Sequence, residues 1–142
     1  MSRQRGGTLP RRKGIAGHVL KVREGDLIEI NGLRLTSVAR TWVDLGSVLP
    51  MDDLIVAGDA IISEHARNFG ETKRPMVPLA GLRQFVAGAN GIHGVRKARE
   101  ALEQLRVGVD SPPETRLRLM LDDAGLPEFV PNCRVDDAMG RP

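Results

Sequence analysis

Residues 26–45 read "DLIEINGLRLTSVARTWVDL" and change within a few positions from strand-like to helix-like patterning. Apolar and polar side chains alternate on both sides of Asn31-Gly32. This dipeptide favours a type I′ turn, because both central residues of that turn need a positive φ. Thr36 or Ser37 then offers a helix N-cap, and apolar side chains recur at helical spacing beyond it. The stretch therefore predicts a β-hairpin followed at once by a helix.

The rest of the chain is expected to be mainly helical. One strand is predicted before the hairpin, at 16–22, and the hairpin strands are predicted at 26–30 and 33–36. Pro50 ends the first helix. Residues 63–78 form a loop, Gly125 caps the last helix, and "FVPNCRV" after Pro127 favours another strand. The remaining helices are expected at about 52–63, 79–88, 93–106 and 112–124. Together these elements predict an α+β fold with an N-terminal β-hairpin or small sheet packed on a helical region.

The composition restricts the class of protein. A chain of 142 residues with 41% hydrophobic and 27% charged residues is expected to form one globular domain, although two small subdomains would also fit. Aromatic residues make up 3%, which argues against RNA or single-strand readers that stack bases on exposed rings. No apolar run approaches a membrane span. Cys133 is the lone cysteine, so an internal disulfide is excluded and a cytoplasmic location is favoured.

Basic residues are concentrated near the N-terminal end. The formal net charge is +3, and five of the seven basic residues that precede the first acid, Glu24, lie within residues 1–13: Arg3, Arg5, Arg11, Arg12 and Lys13. Such an arm lies along phosphates at low salt and releases counterions as it does so. A solubilising segment without a partner is an equally weighted alternative. Residues 1–13 are therefore interpreted as a basic flexible arm and as the candidate contact to DNA, which would be weak and salt-sensitive.

Residues 111–128, "SPPETRLRLMLDDAGLPE", place a carboxylate at the start of a helix. Ser111 and Glu114 match the capping box, in which Ser accepts the amide of the third helical residue and Glu reaches back to the Ser amide. Proline at the first helical position favours the same interpretation. The alternative is that Glu114 is a catalytic ligand of a divalent metal. A structural role is favoured, because a lone carboxylate at a helix start is common.

Arg40, Asp44 and Asp59 are the other charged residues that interrupt apolar helices. Arg40 and Asp44 have i, i+4 spacing, which usually gives a surface ion pair. If the two helices pack through their apolar stripes, Arg40 would reach Asp59 and complete a partly buried network. A structural network is favoured over catalysis, since no nucleophile or base accompanies it. The histidines have no Cys, Asp or Glu at ligand spacing and predict no metal site: His18, His65 and His93.

The stretches "TSVARTWVDL" (36–45) and "SPPETRLRLMLDDAGLP" (111–127) are the most specific parts of a wider resemblance. Over about residues 11–140 the chain resembles a widespread actinobacterial family. Its members are AbiEi-like type IV antitoxins or carry an endonuclease-like domain related to very-short-patch repair enzymes. Full-length relatives open with a winged helix-turn-helix, continue through a connector and finish with a restriction-endonuclease-like fold. The resemblance implies a connector domain over 14–107 and the truncated start of the endonuclease-like domain over 108–142.

The resemblance also implies which residues a nuclease site would need. In such domains the helix that resembles 112–124 supplies one acid, and the following strands supply an Asp and then a Glu-x-Asp or Glu-x-Lys pair. Only Glu114 matches, and the strands for the other ligands are expected to begin about where the chain ends. Phosphodiester hydrolysis in such folds needs two or three carboxylates to place the metal. The implied metal site is therefore incomplete.

Two hypotheses of function follow. The first is a non-enzymatic, DNA-associated or toxin–antitoxin-related protein, which needs no cofactor and acts through DNA, a cognate toxin or a second protein chain. The second is a Mg²⁺-dependent endonuclease whose site is completed by another copy or by a longer chain. Fold analogy alone supports the second hypothesis, so it ranks lower.

Overall fold

The computed structural model describes residues 2–3, 13, 18–19, 21–64, 72–127 and 137–140. Within these residues the chain forms two small sheets and five helices, which confirms the predicted α+β class. In chain order the elements are β1 (Ser2–Arg3), β2 (His18–Val19), β3 (Leu27–Ile30), β4 (Leu33–Thr36), α1 (Val38–Leu45), α2 (Met51–Ile62), α3 (Leu79–Gly88), α4 (Val95–Glu103) and α5 (Pro112–Asp123).

The hairpin lies where the sequence predicts it. Strands β3 and β4 pair antiparallel, with Ile30 opposite Leu33 next to the turn. Asn31 and Gly32 form the turn with φ of 51° and 77°, the two positive values that a type I′ turn requires. The Asn31-Gly32 prediction is confirmed.

The helix after the hairpin begins as predicted and ends earlier. The Ser37 side chain accepts the Arg40 amide, so Ser37 is the N-cap. Helix α1 stops at Leu45 rather than continuing to Pro50, and the chain continues as tight turns in which the Gly46, Ser47 and Val48 amides donate to carbonyls three residues back. Gly46 passes directly over the backbone before α4. A Cβ on Gly46 would lie 2.7 Å from the Gly94 carbonyl oxygen, a distance that no other residue type tolerates. This crossing fixes the spacing between α1 and α4.

The core lies between α1, α2, α3 and α4. Trp42 is 1% exposed, and its indole N–H donates to the Leu54 carbonyl at 2.9 Å. Gly58 allows α2 to approach Leu105, whose Cδ2 would lie 2.5 Å from a Cβ at that position. The other core side chains are aliphatic: Ala39, Val43, Ile55, Ile62, Leu82, Val86, Ala89, Ile92, Ala98, Ala101 and Leu102.

The later helices agree with the predictions to within three residues at each end. Helix α3 spans the predicted 79–88, and α4 ends at Glu103 rather than at about 106. Gly125 has a φ of 70° and its amide donates to the Asp122 carbonyl, which confirms the predicted left-handed cap. The strand predicted within 129–135, which includes Cys133, lies outside the described residues.

The first residues differ in part from the predicted flexible arm. Ser2–Arg3 pairs in parallel with His18–Val19 as β1 and β2. Of the strand predicted over 16–22, His18–Val19 is the part that forms a β-strand among the described residues of that stretch. At Ser2–Arg3 the backbone of the predicted arm therefore takes part in a sheet.

The hairpin joins the helices at its base and leaves one face uncovered. The Ser37 amide donates to the Asp26 carbonyl at 2.9 Å, which closes the hairpin onto the start of α1. The β-register places four aliphatic side chains on one face, each between 39% and 65% exposed: Ile28, Ile30, Leu33 and Leu35. These side chains stay outside the core. No helix in the described part of the chain has the length and apolar character needed to cross a membrane.

Candidate functional site

Glu114 lies in the first turn of α5, where the sequence places it. Pro112 and Pro113 occupy the first two helical positions, and Ser111 is the extended residue before them. Proline has no backbone N–H, so these two positions leave no unpaired donor at the start of the helix. Glu114 is therefore the first residue of α5 whose carboxylate can be stabilised by the partial positive charge of the helix N-terminus.

The Glu114 carboxylate is engaged by its own chain. Its Oε2 accepts the Asp110 amide at 3.0 Å, and its Oε1 accepts the Ser111 hydroxyl at 2.7 Å. The first bond of the predicted capping box is wrong, because the Ser111 side chain forms no hydrogen bond to the helix backbone. Glu114 reaches back, as the box requires, and its described partners are the Asp110 amide and the Ser111 hydroxyl. The hydroxyl proton points to the carboxylate, a stronger acceptor because it is ionised. Glu114 still caps the start of the helix, but it does so through the Asp110 amide and the Ser111 hydroxyl.

The described residues do not form a metal-binding group around Glu114. No group of three or more His, Cys, Asp or Glu side chains there could hold a metal ion. Asp122 and Asp123 lie at the other end of α5, about 12 Å away at 1.5 Å of rise per residue. His93 is exposed in the loop before α4. His65 and Cys133 lie outside the described residues.

Arg40 forms the first of two buried ionic networks. Its side chain is 2% exposed, and its Nε lies 3.0 and 3.1 Å from the two carboxylate oxygens of Asp44. Its Nη1 donates to the Asp26 carboxylate and, at 3.0 Å, to the Lys21 carbonyl. Asp26 also accepts the Arg23 amide at 2.8 Å. The Arg40–Asp44 pair is thus present as predicted, and it joins α1 to the residues that lead into the hairpin.

Asp59 forms the second network, and Arg40 takes no part in it. Asp59 is 1% exposed, and its Oδ1 accepts the Arg106 amide at 2.8 Å. Its Oδ2 accepts the Thr115 hydroxyl at 3.0 Å and Arg118 Nη2 at 3.1 Å. The predicted Arg40–Asp59 contact is wrong, because Arg40 points toward the hairpin while Asp59 faces α5. Asp59 therefore holds α5 against α2.

Burial dominates the electrostatics of this second network. Desolvation raises the pKa of Asp59 above its ordinary value of 3.8, while the Arg106 amide, the Arg118 charge and the Thr115 hydroxyl act in the opposite direction. Arg118 is 4% exposed and also donates to Asp122 at 3.2 Å. In the part of the chain that the structure describes, Arg118 Nε is the buried side-chain nitrogen without a hydrogen-bond partner. The network is therefore incompletely satisfied.

Two residues that complete these networks, Asp26 and Arg118, were not predicted from the sequence. Asp26 lies 14 residues from Arg40, and Arg118 lies 59 residues from Asp59. One local signal was available for α5: Thr115, Arg118 and Asp122 recur at i, i+3 and i+7 and so share one side of a helix. This polar side is the one that faces the protein.

The basic arm is described at two of its five charged positions. Arg3 lies in β1, and Lys13 is exposed in a turn. The other three residues lie outside the described residues: Arg5, Arg11 and Arg12.

The comparisons with known proteins add no relative. The chain matches no protein-family model, and no match was found among curated proteins or among solved structures.

Proposed function

We propose that the protein is a non-catalytic, DNA-associated module of the antitoxin-like kind that its sequence resembles. It acts in the cytoplasm, and the basic residues of its arm contact the phosphate backbone. The connector and the start of an endonuclease-like domain, divided at about residue 107, serve to hold and present this arm. A cognate toxin or a second protein chain is the other partner that the resemblance suggests.

The distribution of charge carries this proposal. The chain has 21 Lys and Arg residues and 18 Asp and Glu residues. Without the five basic residues of the arm, 16 basic residues remain against 18 acidic residues, so the remainder has a net charge of −2. A surface with this balance does not attract a polyanion. Affinity for DNA must then come from the arm.

The geometry of Glu114 supports the non-catalytic part of the proposal. Both carboxylate oxygens already accept hydrogen bonds from Asp110 and Ser111. Binding a metal would compete with these bonds at the start of α5. A structural carboxylate of this kind has a sufficient role without any metal.

A DNA-binding titration tests the proposal. Fluorescence anisotropy with a labelled duplex should show weak binding that is largely indifferent to base sequence. The plot of log K against log salt should have a slope no steeper than about −4.5, because at most five phosphates are neutralised at about 0.9 counterions each. Replacing all five arm residues with Gln should abolish most of the affinity.

A matched variant controls for the loss of charge itself. Five exposed arginines in the folded part should be replaced with Gln, which removes the same charge elsewhere: Arg34, Arg74, Arg83, Arg96 and Arg99. This control should retain most of the affinity. Equal losses in the two variants, or affinity that survives both arm neutralisation and high salt, would overturn the arm as the contact.

The metal-dependent endonuclease remains the alternative, and plasmid nicking separates the two functions. The purified chain should not nick supercoiled DNA with Mg²⁺ or Mn²⁺. Nicking that is lost in Glu114→Gln while circular dichroism shows an intact fold would establish the endonuclease instead. The isosteric Gln keeps one acceptor oxygen for the cap, so loss of activity would not follow from unfolding.

A further inference from the structure

Helix α5 places two polar side chains toward the protein and several apolar side chains toward solvent. Thr115 and Arg118 face α2 and are 1% and 4% exposed. Leu117 and Met120 are 49% and 60% exposed. A surface helix of a globular protein normally has the opposite arrangement. The outer side of α5 is therefore an apolar surface that the described residues leave uncovered.

This outer side forms one continuous stripe. At 3.6 residues per turn its members fall on the same side of the helix, and we name this set the α5 stripe: Pro113, Leu117, Met120, Leu121 and Ala124. Leu126, 52% exposed, follows at the C-terminal end. The 12 residues of α5 extend over about 18 Å. The stripe is therefore long and wide enough for a second helix to pack along it.

Two opposite charges lie along one edge of the stripe. Arg116 and Asp123 are seven residues apart, which places them on the same edge about two turns from each other. An antiparallel copy of α5, related by a two-fold axis between Leu119 and Met120, would bring Arg116 opposite Asp123 of the second copy. The symmetry repeats this pair, so one geometry forms two attractive contacts.

We propose that the α5 stripe is a self-association surface that pairs antiparallel with the α5 stripe of a second copy of this chain. In a parallel pair the two-fold axis runs along the helices and puts the charged edges of the two copies on opposite sides of the interface. Only the antiparallel arrangement brings Arg116 next to Asp123 of the second copy, so the charges favour it. Arg116 already lies 2.8 Å from Asp53, but the two side chains are 64% and 41% exposed. An exposed pair of this kind contributes little, and the guanidinium has further N–H groups to donate.

The small size of the stripe sets the expected affinity. Two helices of about 18 Å bury less than the roughly 1,200 Å² at which stable interfaces begin. The dimer should therefore be reversible and should form as the protein concentration rises. This association needs no DNA, so it succeeds or fails independently of the proposed function.

Charge reversal tests the geometry in solution. Sedimentation equilibrium at low salt should show the wild-type mass rising toward that of a dimer with increasing concentration. Arg116→Asp alone and Asp123→Arg alone each replace two attractive pairs with two repulsive pairs, so association should weaken about tenfold. An equimolar mixture of these two variants should regain association, because every pair in the mixed dimer is again between opposite charges.

Two controls separate this interface from other causes. Arg83→Asp reverses an exposed charge on α3 and should leave association unchanged. Met120→Glu places like charges together beside the two-fold axis and should abolish association, with an unchanged circular dichroism spectrum because Met120 is exposed. A wild type that stays monomeric at all concentrations, a mixture no better than its single variants, or a Met120→Glu protein that still dimerises would each overturn the proposal.

Discussion

Arg40 and Arg118 are both buried arginines, but they differ in how fully their guanidinium groups are hydrogen-bonded. Arg40 donates to two carboxylates and a backbone carbonyl. Arg118 also meets two carboxylates, but its Nε has no partner and the pKa of Asp59 beside it is raised by burial. Burying a charge is costly unless its hydrogen bonds are made. The hydrogen bonds of the first network therefore offset the burial of its charges more fully. The second network holds α5 against α2 at a higher desolvation cost.

The two networks also differ in what is left when one partner is removed. Asp26 keeps the Arg23 amide and a guanidinium at 3.7 Å if Arg40 is lost. Among the described residues, Arg118 keeps only the half-exposed Asp122 if Asp59 is lost. The residual contacts, rather than the number of bonds broken, should decide the order of the mutational effects.

The largest effect is expected for Asp59→Ala. It removes the acceptor of the Arg106 amide, the Thr115 hydroxyl and Arg118 and leaves a buried guanidinium, so the free energy of unfolding should fall by roughly 3–5 kcal/mol. Urea titration measures this loss. The double variant Asp59→Leu with Arg118→Met should recover much of it, since an apolar pair of similar volume has no charge to solvate. No recovery in the double variant would mean that the second network is as favourable as the first.

A smaller loss is expected for Arg40→Met. The free energy of unfolding should fall by roughly 2–3 kcal/mol, because Asp26 remains buried but keeps the Arg23 contacts. The same urea titration gives the value, and Arg34→Met on the exposed face of β4 controls for the loss of an arginine. If Arg40→Met is more damaging than Asp59→Ala, residual partners do not set the order.

The change with pH in the contribution of Asp59 to the free energy of unfolding should be smaller than both of these mutational effects. A folded pKa above 3.8 means that protonated Asp59 favours the folded state. This contribution is complete below about pH 3.8 and is lost as the pH rises through the raised pKa. The stability of the wild type relative to Asp59→Asn, which does not titrate, should therefore fall as the pH increases. A relative stability that increases with pH would show that pairing with Arg118 outweighs desolvation.

The smallest effects are expected at the outer carboxylates, Asp44 and Asp122, which occupy equivalent i, i+4 positions. Alanine at either position should cost about 0.5 kcal/mol. Asp44→Ala should cost more, because Asp44 meets Arg40 Nε with both oxygens and is 25% exposed, whereas Asp122 uses one oxygen and is 39% exposed. Thermal unfolding of the two variants side by side gives the order. A reversed order would indicate that Arg118 depends on Asp122 to offset its unpaired Nε.

Local chemistry explains which parts of this fold the sequence could predict. Asn31-Gly32, the Ser37 cap and Gly125 each act within a few residues, through φ preferences and short side-chain bonds. Their predictions are confirmed. Helix ends were predicted less accurately, since α1 stops at Leu45 and not at Pro50. The approach of Gly46 to Gly94, 48 positions away, is a distant contact that no local pattern predicts.

The candidate site was harder to predict for the same reason. The acid at Glu114 and its capping role were predicted, but the bond to the Asp110 amide depends on how the preceding loop turns. Asp26 and Arg118 were missed because ion pairs between distant residues follow from packing and not from spacing. The inward position of Arg118 was also hard to predict, because the aliphatic residues beside it in the sequence suggest the buried side of α5. Several of these aliphatic side chains in fact face solvent.

Trp42 gives the molecule a single internal optical reporter. The chain has one tryptophan and no tyrosine, so near-ultraviolet fluorescence arises from the indole that donates to Leu54 between α1 and α2. Its emission should shift to longer wavelength only when this helical core opens to water. Release of α5 or fraying of the hairpin would change the circular dichroism while leaving the emission unchanged. A gap between the two unfolding curves would therefore reveal, without any label, whether α5 separates before the core melts.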